Sequence, residues 1–120
     1  MIENKIKGHI LIISSQSALE PSWSPYRLSK LGIDGITKGM AQRLLEHGII
    51  VNAIGPGPPN TSMQKNYREG NLYTPLNPKK RFTTPEEIAQ IAKILVSDLG
   101  NTIVGQTIYM SGGRGIVEIR

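Results

Sequence analysis

The feature that most constrains the fold is a strand, helix, strand order packed into residues 8–54. Gly8-His9-Ile10-Leu11-Ile12-Ile13 is a continuous apolar run with β-branched residues that ends in small polar ones. Such a run reads as a strand buried on both faces, as in a parallel sheet. From about Tyr26 to His47 the apolar residues recur at helical spacing, and Ile49-Ile50-Val51-Asn52-Ala53-Ile54 follows at once as a second strand. Two strands joined by a helix of about 20 residues form a βαβ unit. Its crossover is expected to be right-handed.

The rest of the chain extends this unit. Pro25 suits the opening of the first helix, and His47-Gly48 suits its end, with glycine at the left-handed position. Along that helix Leu28, Gly32, Ile36, Met40 and Leu44 form one stripe, and Ile33, Thr37, Ala41 and Leu45 a neighbouring one. So wide an apolar arc predicts packing on two sides, against the sheet and against another helix. Gly32, Gly35 and Gly39 each cost about 1 kcal/mol relative to alanine, which suggests close backbone approach. After Gly55-Pro56-Gly57-Pro58-Pro59 an irregular region runs to Thr84, long enough to read as a substrate loop or lid. Thr84-Pro85-Glu86-Glu87 opens a second helix with a capping box, and Ile88, Ile91, Ala92, Leu95 and Val96 give it one apolar face. Gln106 to Met110 reads as a third strand, followed by Gly112-Gly113.

Composition narrows the function classes. The 120 residues make one domain with 38% hydrophobic and 19% charged residues, an ordinary globular balance. The net charge of +5 comes from scattered basic residues, with Lys79-Lys80-Arg81 the only short cluster and no aromatic interleaving. That pattern points away from nucleic acid and toward solubility or an anionic small molecule. With no cysteine there is no disulfide, thiolate metal site or cysteine nucleophile, and no metal is expected. No apolar stretch approaches the roughly 20 residues of a membrane span, and no signal peptide is read at Met1, so the expected location is cytoplasmic.

Chemistry concentrates in Ser14-Ser15 and in Tyr26-Arg27-Leu28-Ser29-Lys30. Tyr26 and Lys30 are four residues apart at the start of a helix and project from one face. An ammonium beside a phenol favours the phenolate. Tyr26 then suits a general acid for carbonyl reduction or a general base for alcohol oxidation. Ser15, at the end of the adjoining strand, would hydrogen-bond the substrate oxygen. Taken alone, Tyr26 and Lys30 also read as a solvent-exposed pair, Ser14-Ser15 as a strand end and Gly55–Pro59 as a turn. His9 and His47 read as structural; Trp23, Tyr67 and Tyr73 read as pocket lining or as surface residues.

Five ordered signatures together resemble the short-chain dehydrogenase/reductases. They are Ile10-Leu11-Ile12-Ile13-Ser14-Ser15, Tyr26-x-x-x-Lys30, Val51-Asn52-Ala53-Ile54-Gly55-Pro56-Gly57, Pro85-Glu86-Glu87-Ile88-Ala89 and Gly105-Gln106-Thr107-Ile108-Tyr109-Met110-Ser111-Gly112-Gly113. The resemblance implies a Rossmann-like, doubly wound parallel α/β sheet, of which this chain holds the βαβ unit plus a helix and a final strand. It implies NAD(P)-dependent alcohol oxidation or carbonyl reduction of a small molecule by Ser15, Tyr26 and Lys30. By the same resemblance Tyr26, Lys30, Pro56, Gly57 and Thr61 contact an NAD or NADP cofactor, and the protein is a homo-oligomer. Ser14 and Ser17 are alternative matches for Ser15, because the gap from Ser15 to Tyr26 is two residues shorter than is common.

The departures are as informative as the match. The resemblance covers the family's C-terminal half, and no Gly-rich turn opening a helix is present to hold a pyrophosphate. The prolines of Gly55–Pro59 remove N–H donors, and Pro59 stands where the family has a donor to the nicotinamide amide. The first strand is therefore expected to have an unpaired edge. The chain expressed alone is expected to be unstable, self-associated or dependent on a complementary N-terminal piece. The rival reading is a non-catalytic fragment or interaction module that associates through the helix of residues 26–47.

Overall fold

Strand β1 (Gly8–Ile13) forms where the apolar run predicts it, and it pairs in parallel with β2 (Ile49–Pro56) in the register Gly8↔Ile49 to Ile13↔Ile54. The computed structural model describes residues 1–58 and 70–117. Between the two strands lies α1 (Pro25–Leu44), opened by the Ser24 hydroxyl, which accepts the Arg27 N–H at 3.3 Å, with Pro25 in the first turn. Proline costs nothing there, because its missing N–H would have had no helical partner. A short 3₁₀ turn, Leu45–His47, ends at Gly48, whose φ of 72° is the left-handed conformation that the sequence predicts.

β2 is two residues longer than expected. Gly55 and Pro56 continue it because they pair with Tyr109 and Met110 of β3 (Thr107–Met110), also in parallel. The sheet order β1-β2-β3 puts β2 at the centre, with Ile49, Val51, Asn52, Ala53 and Ile54 all buried. Burial on both faces is what a continuous apolar strand requires. Asn52 is the polar exception. It donates from Nδ2 to the Ile103 carbonyl at 2.6 Å and accepts the Gln106 N–H at 2.9 Å, which ties the entry of β3 to the centre of the sheet. Without those partners the buried amide would be costly.

The core forms where Ala41 of α1 meets Ile49 and Val51, with Ile10, Ile12, Met40, Leu44 and Val104 around it. Thr37, also buried on this flank, returns its hydroxyl proton to the Ile33 carbonyl at 2.8 Å. The opposite flank is open: Leu28, Leu31 and Ile36 are exposed, and a Cβ added at Gly32, Gly35 or Gly39 would meet nothing within 4 Å. Among the described residues, then, the helix packs on one side and these glycines serve no close approach.

Helix α2 (Pro85–Leu95) opens with the expected capping box: Thr84 Oγ1 accepts the Glu87 N–H at 3.2 Å, and Glu87 accepts the Thr84 N–H at 2.9 Å. Arg81 adds an ion pair to Glu87 at 2.5 Å. That guanidinium, followed by the Thr84 N–H, holds the Glu87 carboxyl below the usual carboxylate range. No helix among the described residues is long and apolar enough to cross a membrane.

Candidate functional site

At the carboxyl ends of β1 and β2 the chain leaves the sheet in two loops, and a cleft of about 410 Å³ opens between them. In open α/β sheets this is the end where ligands bind. Ser15 and Tyr26, the two proton-handling candidates, both line the cleft, together with Pro56, Gly57 and Pro58. Residues separated by more than thirty positions in sequence are thus brought together by the parallel pairing of β1 with β2.

Each side chain is set by local structure. Ser15 caps the 3₁₀ turn Gln16–Leu19, its Oγ accepting the Ser17 N–H at 3.1 Å. That bond fixes the oxygen and leaves the hydroxyl proton free to donate. Tyr26 stands in the first turn of α1 with its side chain largely exposed, facing space rather than core. Lys30, one turn later, holds its ammonium 5.7 Å from the centroid of the Tyr26 ring, within cation–π range. The Ser29 hydroxyl donates to the Tyr26 carbonyl at 2.6 Å and firms the turn that carries the pair.

Glycines keep the cleft open. Gly57 is buried, and its N–H donates to the Met110 carbonyl at 3.1 Å. A Cβ there would press on Gln16 Oε1 and the Met110 carbonyl oxygen, each at 3.2 Å. At Gly55, the neighbour of Tyr109 in the sheet, a Cβ would collide with the tyrosine ring. Burial pushes the Tyr109 phenol above its ordinary range, and the Asp34 carboxylate adds to the effect.

Of the sequence-predicted residues, Ser15, Tyr26, Pro56 and Gly57 meet at the cleft and Lys30 stands behind Tyr26. Thr61, Pro59 and Tyr67 lie outside the described residues. Trp23 and Tyr73 are exposed and away from the cleft lining, and His9 has its Nε2 3.2 Å from the Asn101 side-chain oxygen. Two lining residues carried no local signal in the sequence. Gln16 is buried beneath Gly57, and Arg114 arrives from the turn after β3. Arg114 is placed by a partner 94 positions away: its Nε donates to Glu20 Oε1 at 2.5 Å.

A family profile described as Enoyl-(Acyl carrier protein) reductase matches residues 1–114. The chain belongs to the short-chain dehydrogenase/reductase family. Over 117 residues it is 38% identical to the 3-oxoacyl-(acyl-carrier-protein) reductase FabG of Buchnera aphidicola, covering 94% of this chain and 47% of that protein. The crystal structure of acetoin dehydrogenase from Enterobacter cloacae superposes with a TM-score of 0.87 at 29% identity, covering 99% of this chain and 48% of the other. A 4-hydroxyisoleucine dehydrogenase complexed with NADH matches with a TM-score of 0.79 at 30% identity, over 97% of this chain and 50% of its own. The chain spans about half the length of the curated relatives it matches. The Rossmann-like α/β class read from the sequence is that of these short-chain dehydrogenase/reductase structures.

Proposed function

We propose that this chain carries the proton-transfer half of an NAD(P)-dependent oxidoreductase that interconverts an alcohol and a carbonyl compound. The observation that carries the reading is the convergence of Ser15, Tyr26, Pro56 and Gly57 on one cleft at the carboxyl ends of parallel strands. In this reading the Ser15 hydroxyl donates to the substrate oxygen and holds it beside the Tyr26 phenol. During reduction Tyr26 gives its proton to that oxygen as the carbonyl carbon gains a hydride; during oxidation the phenolate takes the proton back. Lys30 stands one helical turn on, with its ammonium 5.7 Å from the centroid of the Tyr26 ring.

A nicotinamide cofactor, when bound, supplies or accepts the hydride. The residues present fit its nicotinamide and ribose end. Gly57 lines the cleft with bare backbone, and the Lys30 ammonium is a donor for ribose hydroxyls. The described residues contain no Gly-rich turn that opens a helix, so the pyrophosphate would be held by residues outside them. NAD and NADP are equally compatible with this half-site.

Titration of the folded chain with NADH and with NADPH, followed by nicotinamide fluorescence, tests the reading. Saturable enhancement is expected, weakened at least tenfold in Lys30→Met and retained in Tyr26→Phe. In hydride-transfer assays Tyr26→Phe should lose about a hundredfold or more. Absence of binding to folded chain would reject an autonomous cofactor site.

One observation favours a second role, association. The exposed Leu28, Leu31 and Ile36 line one flank of α1 beside three glycines. An apolar flank of this kind suits burial in a homo-oligomer. Leu31→Asp should then shift the chain to a smaller species in analytical ultracentrifugation, and an unchanged species would remove this role.

A further inference from the structure

We infer that the cleft selects an anionic substrate: a short oxo or hydroxy acid whose carboxylate is read by Arg114 and whose body lies against the Gln16 amide. The inference rests on reading the cleft as the reaction site and adds the class of molecule it takes.

Charge carries the first part. Among the described residues Arg114 is the only charged side chain that lines the cleft. It is presented by a turn in which Gly112, Gly113 and Gly115 have φ of 62°, 90° and 80°, a left-handed path closed to most side chains. The turn is seated on the loop after β1: a Cβ on Gly115 would come within 2.7 Å of Leu19 Cβ. Glu20 receives Arg114 Nε at 2.5 Å and, weakly, Nη2 at 3.5 Å. The same carboxylate lies 3.2 Å from Arg27 Nη2. Two guanidiniums therefore share one carboxylate and leave a net positive charge at the rim. Arg114 retains N–H donors on Nη1 with no acceptor among the described residues, and a guanidinium fork matches a carboxylate edge.

Unsatisfied polarity carries the second part. Gln16 is only 6% exposed, and its Oε1 is buried without a hydrogen-bond partner among the described residues. The Ser14 hydroxyl, 5% exposed on the same cleft, is also without one. Buried polar atoms in native structures are nearly always partnered, so the wall directly behind the cleft holds two polar groups still to be matched. A cleft lined by the polar residues Ser14, Ser15, Gln16 and Ser17 and rimmed by a guanidinium suits a small polar acid better than a long acyl chain.

An anionic oxygen for Arg114 has two sources, a substrate carboxylate and a phosphate of the dinucleotide. Because Arg114 shares the cleft with Ser15 and Tyr26, the observations favour a carboxylate close to the reacting carbon.

The test compares 2-oxobutyrate with its uncharged analogue 2,3-pentanedione, each titrated into the folded 120-residue chain by NMR chemical shift. The acid is expected to bind at least tenfold more tightly, with the largest shifts at Gln16 and Arg114. Arg114→Met should remove that advantage and leave the diketone unchanged, and Arg114→Lys should restore part of it. Equal affinity of the unmodified chain for the two compounds overturns the inference without any variant. So does an Arg114→Met chain that loses NADH affinity but keeps the acid, because the cation would then serve a phosphate. Failure of NADH to bind while the acid still binds through Arg114 counts against the cofactor reading and leaves the anion selectivity standing.

Discussion

Helices α1 and α2 both open on a hydroxyl cap followed by proline, yet they are held by different means. The cap of α2 closes locally, between Arg81 and Glu87, with a reciprocal capping box and an ion pair at 2.5 Å. A single hydrogen bond from the Thr83 hydroxyl to the Met110 carbonyl at 2.9 Å ties it to β3. α1 has a single cap bond and depends on the sheet. Thr37 and Ala41 are buried on it, and Asp34 accepts the Thr107 hydroxyl of β3 at 2.7 Å while also pairing with Lys38 at 2.8 Å. The helix that carries the candidate chemistry is therefore the one whose geometry is imposed from far along the chain. A site built this way is accurate only while the sheet is intact.

The comparison breaks most severely at Ile49, which is 1% exposed beneath α1. Ile49→Ala should cost about 2–5 kcal/mol in urea unfolding. It should also loosen Tyr26 and Lys30, seen as lost chemical-shift dispersion in α1. Thr84→Ala removes one arm of the capping box and should cost about 1 kcal/mol, with the cleft unaltered.

Asp34 sharpens the contrast through pH. Its carboxyl is held below the ordinary range, first by the hydrogen bond from Lys38 and then by that from Thr107. A lowered folded value means that its stabilisation is complete above the unfolded carboxylate value of about 3.9 and is lost as pH falls through the folded value. Asp34→Asn should therefore lower stability by about 1 kcal/mol at neutral pH and flatten the acid limb of the stability curve. Glu87, also lowered, keeps its own contribution to that limb.

The smallest effect tests the open flank. Gly35→Ala should stabilise by about 0.5–1 kcal/mol, because the position is helical and a methyl group meets only open space. A loss of stability instead would show that something packs there.

The sequence made some of this legible and could not make the rest so. β1, the start of α2 and the Gly48 stop are written in local rules, and each forms where it was expected. The two-residue extension of β2 was not legible, since Gly55 and Pro56 are poor strand formers and join the sheet only by pairing with Tyr109 and Met110. Periodicity marked both flanks of α1 as apolar without saying which would meet the sheet, because Ile36 and Met40 look alike to any hydrophobic count. Ser15, Tyr26, Pro56 and Gly57 were read as one site through the ordered signatures. Gln16 and Arg114 were missed because their significance lies in what faces them, and Arg114 meets Glu20 across 94 positions.

The turn that carries Arg114 has a consequence for affinity itself. Past Gly112 its backbone N–H groups bond only within the turn, as Ile116 and Val117 do to the Gly113 carbonyl at 3.1 and 2.8 Å. It is held to the rest of the molecule by the Glu20 bridge, by the Lys79 N–H donated to the Gly112 carbonyl at 3.0 Å, and by the close approach of its glycines to Asn77, Pro78 and Leu19. All of these anchors come from loops, and a segment held by loops opens at lower free energy than a central strand such as β2. An acid that needs Arg114 then binds with an apparent constant equal to its intrinsic one divided by the closed fraction. Affinity at this site is set partly by how often the turn is down, so a change that steadies it against Glu20 tightens binding without touching the substrate.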